Sequence, residues 1–139
     1  MAEVEWAVLC DYAFQDVGRK TCVIGIFDRI FAKAVPAQHH QAAFVFKITG
    51  DPNEEVEFKV EITRPAGGTL GSMGGKIEIP PLGTMDVIAN LQGLPLPDYG
   101  LYGFSLYLGA TPAKTIGLTV AAMPMPSTGA LPGAAPPQG

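Results

Sequence analysis

Apolar and polar residues alternate one for one along much of this chain. The clearest run is residues 56–63, where Val56, Phe58 and Val60 alternate with Glu57 and Lys59. A period of two predicts β-strands with one buried and one solvated face. Together with the turn-forming Gly, Pro, Asp and Asn residues between the runs, it predicts eight strands, over residues 4–13, 20–33, 41–50, 56–64, 76–80, 84–92, 100–109 and 115–122.

Short strands separated by turns at this spacing predict an all-β fold, and we expect an antiparallel β-sandwich. The sandwich domain is predicted to occupy residues 1–122. Residues 123–139 are a low-complexity tail of Pro, Ala and Gly with no charged residue. Because proline lacks a backbone donor, we expect this tail to be extended or disordered rather than part of a sheet.

The second predicted strand, residues 20–33, is long for a single strand. Gly25 is expected to mark a bulge or bend that lets the segment serve both sheets. A short helix over residues 27–31 is a secondary alternative, because Phe27, Ile30 and Phe31 also fit helical spacing.

Residues 98–104 read Asp-Tyr-Gly-Leu-Tyr-Gly-Phe. The D-x-G-x-Y spacing at Asp98, Gly100 and Tyr102 is typical of a tyrosine corner, in which the tyrosine hydroxyl bonds to the backbone just upstream. This feature indicates an immunoglobulin-like sandwich. Antibody-like topology is not indicated, because Phe104 stands where the second cysteine would be and the single tryptophan, Trp6, lies in the first strand.

A buried core follows from the apolar positions of these strands. Its predicted members are Trp6, Val8, Ile24, Ile26, Phe44, Phe46, Phe58, Val60, Tyr102, Phe104, Leu106 and Leu118.

Charge and composition exclude several classes of partner. The net charge is −4, the pI is about 5.0, and the nine basic residues are scattered, so no patch could neutralise phosphates and we expect no nucleic acid partner. The acidic N-terminus has no apolar segment behind it, and no stretch of roughly 18 apolar residues could span a membrane. We therefore expect a cytoplasmic protein with no membrane partner.

Few side chains could carry chemistry. His39 and His40 are adjacent in a predicted connection, and neighbours on a strand would point to opposite faces, which suits one metal ion poorly. Cys10 and Cys22 flank the first turn and could face one another, but they lack C-x-x-C spacing and are expected to be buried thiols. With three serines and no G-x-S-x-G elbow, we expect no enzyme, no metal and no cofactor.

The glycine-rich run at residues 67–75 departs from a phosphate-binding loop, because Ile77 stands where a Ser or Thr would ligate magnesium. We expect a flexible hairpin loop that could contact a partner. Its candidate contact residues are Gly67, Gly68, Gly71, Met73 and Gly74, and the candidate aromatic contacts elsewhere are Trp6, Tyr99 and Tyr107.

The motifs W-A-x-L-C-D at residues 6–11 and G-x-F-D-x-I at residues 25–30 resemble an uncharacterised bacterial family of unknown function. The Pro36–His40 connection and the Gly100–Phe104 strand resemble later elements of its pattern, so the resemblance spans residues 4–122. It implies a small all-β sandwich with no established activity, and it assigns no catalytic residue.

These observations favour a non-enzymatic interaction or assembly module whose partner is another protein or a second copy of the chain. Residues 100–109 and 115–122 form weakly charged strands that we expect to be sheet edges able to pair with another copy. The alternative is a sandwich that binds a small ligand, a carbohydrate or a lipid, through a sheet face or the glycine-rich loop.

Overall fold

The computed structural model describes residues 1–124. Nine β-strands make up this part of the chain: β1 (Glu3–Gln15), β2 (Thr21–Ile26), β3 (Arg29–Ala32), β4 (Ala37–Thr49), β5 (Glu55–Thr63), β6 (Thr69–Glu78), β7 (Thr84–Leu96), β8 (Gly100–Leu108) and β9 (Thr111–Ala122).

The strands form two sheets. One has four strands in the order β2-β1-β4-β7, and the other has five in the order β3-β9-β8-β5-β6. The pairing is antiparallel throughout, except that β3 and β9 run parallel. The predicted all-β sandwich is therefore confirmed, with nine strands in place of eight.

The extra strand comes from residues 20–33, which divide into β2 in the four-stranded sheet and β3 in the five-stranded sheet. This segment serves both sheets, as its length predicted, but the change of sheet falls at residues 27–28 rather than at Gly25, which lies inside β2. The alternative of a short helix over residues 27–31 is wrong, because residues 29–32 pair with β9.

The core lies between the two sheets. The rings of Phe44 and Phe104, one from each sheet, stack with centroids 6.5 Å apart, and Phe46 meets Phe58 edge-on at 5.4 Å. Alternating residues of both sheets interdigitate here, as expected of an aligned sandwich. Seven predicted core residues are fully buried: Phe44, Phe46, Val60, Tyr102, Phe104, Leu106 and Leu118.

A second apolar cluster, which we call the outer cluster, centres on Cys10, Ala13, Ala43 and Val45. All four are buried, with Trp6, Val8, Val23 and Ile88 packed against them. Val45 lies opposite Val8 on β1 and Ile88 on β7, so this cluster occupies the face of the four-stranded sheet that points away from the other sheet.

The β1–β2 hairpin covers the outer cluster. The β1 strand leaves β4 after the Cys10–Ala43 pair and continues with β2 alone. The Thr21 hydroxyl near the hairpin tip donates to Asp86 Oδ2 at 2.6 Å, although Asp86 lies on β7 at the opposite edge of the sheet. Only a hairpin folded back across the sheet can make this contact.

The fold-back begins at Gly25, which has φ +72° and lies against Asp11. The positive φ favours glycine at residue 25, and a Cβ there would also require the Asp11 side chain to move. The bend turns Ala13 and Val23 inward and leaves Ile24 and Ile26 at 54% and 66% exposure. The prediction that Ile24 and Ile26 belong to the core is wrong for this reason, and Trp6 and Val8 belong to the outer cluster rather than to the core between the sheets.

Residues 1–124 include no helix with the length and apolar character that crossing a bilayer requires. The predicted tail starts within them at Met123, but its residues from Met125 onward lie outside the described part of the chain.

Candidate functional site

The connection between β7 and β8 is fixed by the side chain of Tyr102. Its hydroxyl donates to the carbonyl oxygen of Asp98 and accepts from the N–H of Asp98, each at 2.8 Å. The ring itself is fully buried between the sheets. This is the hydrogen-bond arrangement that the D-x-G-x-Y spacing predicts, and it ties the start of β8 to the chain just before it.

Two further contacts shape this corner. Arg64 Nη2 lies 2.8 Å from Asp98 Oδ2, which raises the pKa of the Arg64 guanidinium through the hydrogen bond and the carboxylate charge. Gly100 has φ +127°, and a Cβ there would lie 2.8 Å from Pro65 Cβ. Glycine is therefore dictated by backbone conformation and by space. Asp98, Gly100 and Tyr102 thus act together as scaffold.

The predicted contact loop at residues 67–75 is mostly strand. Gly67 and Gly68 lie in the turn after β5, but Gly71, Met73 and Gly74 belong to β6, where they pair with Ile62, Val60 and Lys59 of β5. The expectation of a flexible loop is wrong here because backbone pairing needs no side chain. At Gly74 a side chain would in fact collide with the carbonyl oxygen of Phe58.

The three candidate aromatic contacts lie at separate places. Trp6 packs against the outer cluster, and Tyr107 lies on the outer face of the five-stranded sheet with Lys59 Nζ 5.4 Å from its ring centroid. The Tyr99 hydroxyl donates to the carbonyl oxygen of Ala32 at 3.1 Å. The structure does not bring them together as one stacking platform.

The histidines lie elsewhere than expected, whereas both cysteines are free thiols, of which Cys10 is buried as predicted and Cys22 is only half-buried. Both histidines lie within β4 rather than in a connection; His39 Nε2 is 3.4 Å from Asp11 Oδ1, and its ring packs 5.3 Å from that of Phe27. Cys10 pairs with Ile26 and Cys22 with Phe14, so the two thiols do not face one another. Across residues 1–124, no three His, Cys, Asp or Glu side chains converge to hold a metal ion.

The feature that sequence reasoning missed is the outer face of the β1–β2 hairpin. Tyr12, Phe14, Ile24 and Ile26 are between 38% and 66% exposed there, and we call these four residues the hairpin patch. Tyr12 lies directly opposite Ile24, and the rings of Tyr12 and Phe14 are 5.6 Å apart. Isolated exposed apolar residues are ordinary, but contiguous ones mark interaction surfaces.

A signal for the hairpin patch was present in the sequence. Both alternating faces of residues 6–14 carry apolar residues, and the prediction places only the face of Trp6 and Val8, with Ile24 and Ile26 of the next strand, in the core. A strand that is apolar on both faces must be covered twice or must leave one face exposed. The structure takes the second course for the hairpin.

A cleft of about 530 Å³ lies at one end of the sandwich, between the N-terminus and the β8–β9 turn. Carboxylates of β1 and β5 line it with Met1, whose ammonium group is 3.1 Å from Asp51 Oδ2. That hydrogen bond and the negative charge of Asp51 raise the pKa of the N-terminal amine. None of the candidate aromatic residues lines this cleft.

Comparison with solved structures agrees with the sandwich fold. The C-terminal domain of Wzt aligns with 88% of this chain and 75% of its own at 15% identity and a TM-score of 0.52. A β-glucosidase from Listeria innocua, in complex with glucose, aligns with 90% of this chain at 6% identity and a TM-score of 0.51, but this chain spans only 16% of the enzyme's length. At such low identities the likeness concerns the fold alone.

An immunoglobulin-like protein from Pseudomonas aeruginosa also aligns, over 86% of this chain and 96% of its own, at 10% identity and a TM-score of 0.48. No curated protein shows significant sequence similarity. The model of a family of unknown function, DUF6941, matches residues 5–121. The expected resemblance to a family of unknown function is therefore confirmed: the chain belongs to DUF6941.

Proposed function

We propose that this protein is a non-enzymatic interaction module of the cytoplasm that binds another protein chain through the hairpin patch. The observation that carries the proposal is the exposure of Tyr12, Phe14 and Ile24 side by side on the hairpin, with Ile26 exposed two residues further along β2. Leaving large apolar side chains in water forgoes about 1.5–3 kcal/mol for each one that could be fully buried. A partner that covers the patch recovers part of this free energy.

The hairpin is rigid enough to present such a surface. Its inner face packs on the outer cluster, and its tip is held at Asp86 by a short hydrogen bond from Thr21. A pre-ordered surface loses little conformational entropy on binding, which favours association. The patch is thus a preformed surface on a fixed element rather than a loose loop.

The reactive side chains favour a binding role over catalysis. His39 lies beside Asp11, and Tyr12, Gln38, His40 and Gln41 complete the neighbouring cleft, whose lining contains no serine, threonine or cysteine. Burial raises the pKa of the Cys10 thiol, which disfavours the reactive thiolate. These arrangements support an interaction module.

Site-specific photo-crosslinking in cells tests the proposal. A photo-reactive residue at Ile26 is expected to give one dominant crosslinked species that mass spectrometry identifies as a defined protein chain. Leu101 on β8 is the matched control, because it is 62% exposed against 66% for Ile26 but lies on the other sheet. Crosslinking at Ile26 no greater than at Leu101 would refute the proposal.

A second candidate function, binding of a carbohydrate or lipid, is supported by the size of the cleft at the N-terminal end, since about 530 Å³ lies within the range of ligand pockets. The cleft is lined by carboxylates and none of the candidate aromatic residues lies in it, so this function is less well supported than protein binding. A thermal-shift screen with sugars and fatty acids tests it: saturable stabilisation that Glu57→Gln weakens would support it, and no shift would refute it.

A further inference from the structure

We propose that the chain occupying the hairpin patch is a second copy of this protein, with the two hairpins packed face to face and antiparallel around a two-fold axis. This inference rests on the proposed function and names its partner. In an isologous dimer the same patch serves both copies, so it must be complementary to itself.

The apolar residues meet this condition. Along the hairpin, Ile26 lies at the base, the Tyr12–Ile24 pair lies in the middle, and Phe14 and Cys22 lie towards the tip. An axis through the middle pair places Ile24 of one copy over Ile24 of the other. It also places Cys22 of one copy over Ile26 of its partner and Phe14 over the Cys10 position beside Ile26.

The charges at the two ends of the hairpin are also complementary. Arg19 and Lys20 are exposed at the tip. Asp28 is exposed two residues beyond Ile26, and Asp11, whose Oδ1 lies 3.4 Å from His39 Nε2, is exposed next to Cys10 at the base. The remaining charges are Asp16 at the tip, whose carboxylate accepts from the N–H of Lys20 at 2.8 Å, and Arg29 beyond the base.

Antiparallel packing brings the basic tip of each copy over the acidic base of the other. With Ile24 on the axis, Lys20 comes over the region just beyond Ile26, where Asp28 follows in the crossover to β3. Within residues 1–124 neither of these two side chains forms an ion pair in the monomer, so both are free to pair across the interface. A parallel arrangement would instead place the two basic tips together.

Dissociation constants from analytical ultracentrifugation of the full chain test the apolar contact. Ile24→Lys is expected to weaken the dimer at least about 30-fold, because the residue occurs twice on the axis and each copy loses buried apolar surface. Leu101→Lys is the control of similar exposure, 62% against 54% for Ile24, and should leave the constant unchanged.

A charge exchange tests the orientation. Lys20→Asp places two carboxylates together at each end and is expected to weaken the dimer about 3- to 10-fold. Adding Asp28→Lys to the same chain should restore the affinity, whereas a parallel dimer would not be restored. Lys114→Asp, on β9, changes the net charge equally and should have no effect.

The position of the axis is tested by crosslinking. In a Cys22→Ser background, Ile24→Cys should be joined to its own copy by a short bis-maleimide, because sheets packed face to face lie about 10 Å apart. Leu101→Cys should not be joined. A strictly monomeric protein overturns the dimer, and so does a dimer that Ile24→Lys leaves intact. If Ile26 nevertheless crosslinks to a different protein, the proposed function stands and only the identity of the partner falls.

Discussion

Replacing Tyr102 by phenylalanine removes a single oxygen from the corner that joins β7 to β8. The ring of Tyr102 is fully buried, and phenylalanine keeps that ring, so the hydrophobic contribution is unchanged. What is lost is the pair of hydrogen bonds, each 2.8 Å long, between the hydroxyl and the backbone of Asp98. The substitution therefore isolates the polar part of the corner.

The size of the effect follows from these two bonds. Each intramolecular hydrogen bond contributes about 0.5–1.5 kcal/mol net, so losing both should cost about 2 kcal/mol. Asp98 is partly exposed, and water can reach its backbone groups once the hydroxyl is gone. The cost should therefore stay below that of leaving two fully buried groups unpaired. A loss of this size lowers the Tm of a domain of this length by roughly 6–10 °C.

Urea unfolding followed by the fluorescence of Trp6 measures this loss. We expect the midpoint to fall and the dependence on denaturant to stay constant, since the surface exposed on unfolding does not change. Tyr99→Phe is the control: it removes one hydrogen bond of 3.1 Å from a residue 38% exposed, and should cost less than about 1 kcal/mol. If Tyr102→Phe costs no more than Tyr99→Phe, the corner is not a source of stability.

Two further predictions follow from the packing. Gly100→Ala should lower the free energy of unfolding by about 2 kcal/mol or more, because alanine is strained at φ +127° and its Cβ would meet Pro65. Gly71→Ala is the control, because the space there is open, and should change stability by less than about 0.5 kcal/mol. Equal effects of the two substitutions in urea unfolding would contradict this reasoning. Cys22 should react with a thiol reagent in the native state. Cys10 should react only after unfolding, because it is fully buried and burial raises the pKa of its thiol. Equal native rates for the two cysteines in a colorimetric thiol assay would show that the hairpin does not seal the outer cluster.

The sequence is most informative where one local rule decides the structure. Period-two alternation located most strands, because a half-buried strand must alternate. The D-x-G-x-Y spacing located the corner because the turn it forms brings the Tyr102 hydroxyl back to the backbone of Asp98. The length of residues 20–33 indicated a segment shared by both sheets, which the structure shows as β2 and β3.

The misassigned residues are those whose environment depends on distant contacts. Residues 100–109 and 115–122 were expected at sheet edges, but β8 lies between β9 and β5, and residues 119–122 of β9 pair with β3. Strand order is set by pairing between segments far apart in sequence, and a strand's own pattern does not record its neighbours. The glycines of β6 were read as a loop for the same reason, since their strand conformation depends on β5.

The folded-back hairpin explains both a hidden cluster and an exposed patch. Covering the outer cluster requires only the inner side chains, Ala13 and Val23, and any polar residues could occupy the other face. The large apolar residues on that face therefore contribute little to the monomer: Ile26 is 66% exposed, so Ile26→Lys should leave the free energy of unfolding of the monomer nearly unchanged. Because this surface can be altered without loss of folding, any loss of association in such a variant reports on binding alone, which separates the function of the hairpin from its structural role.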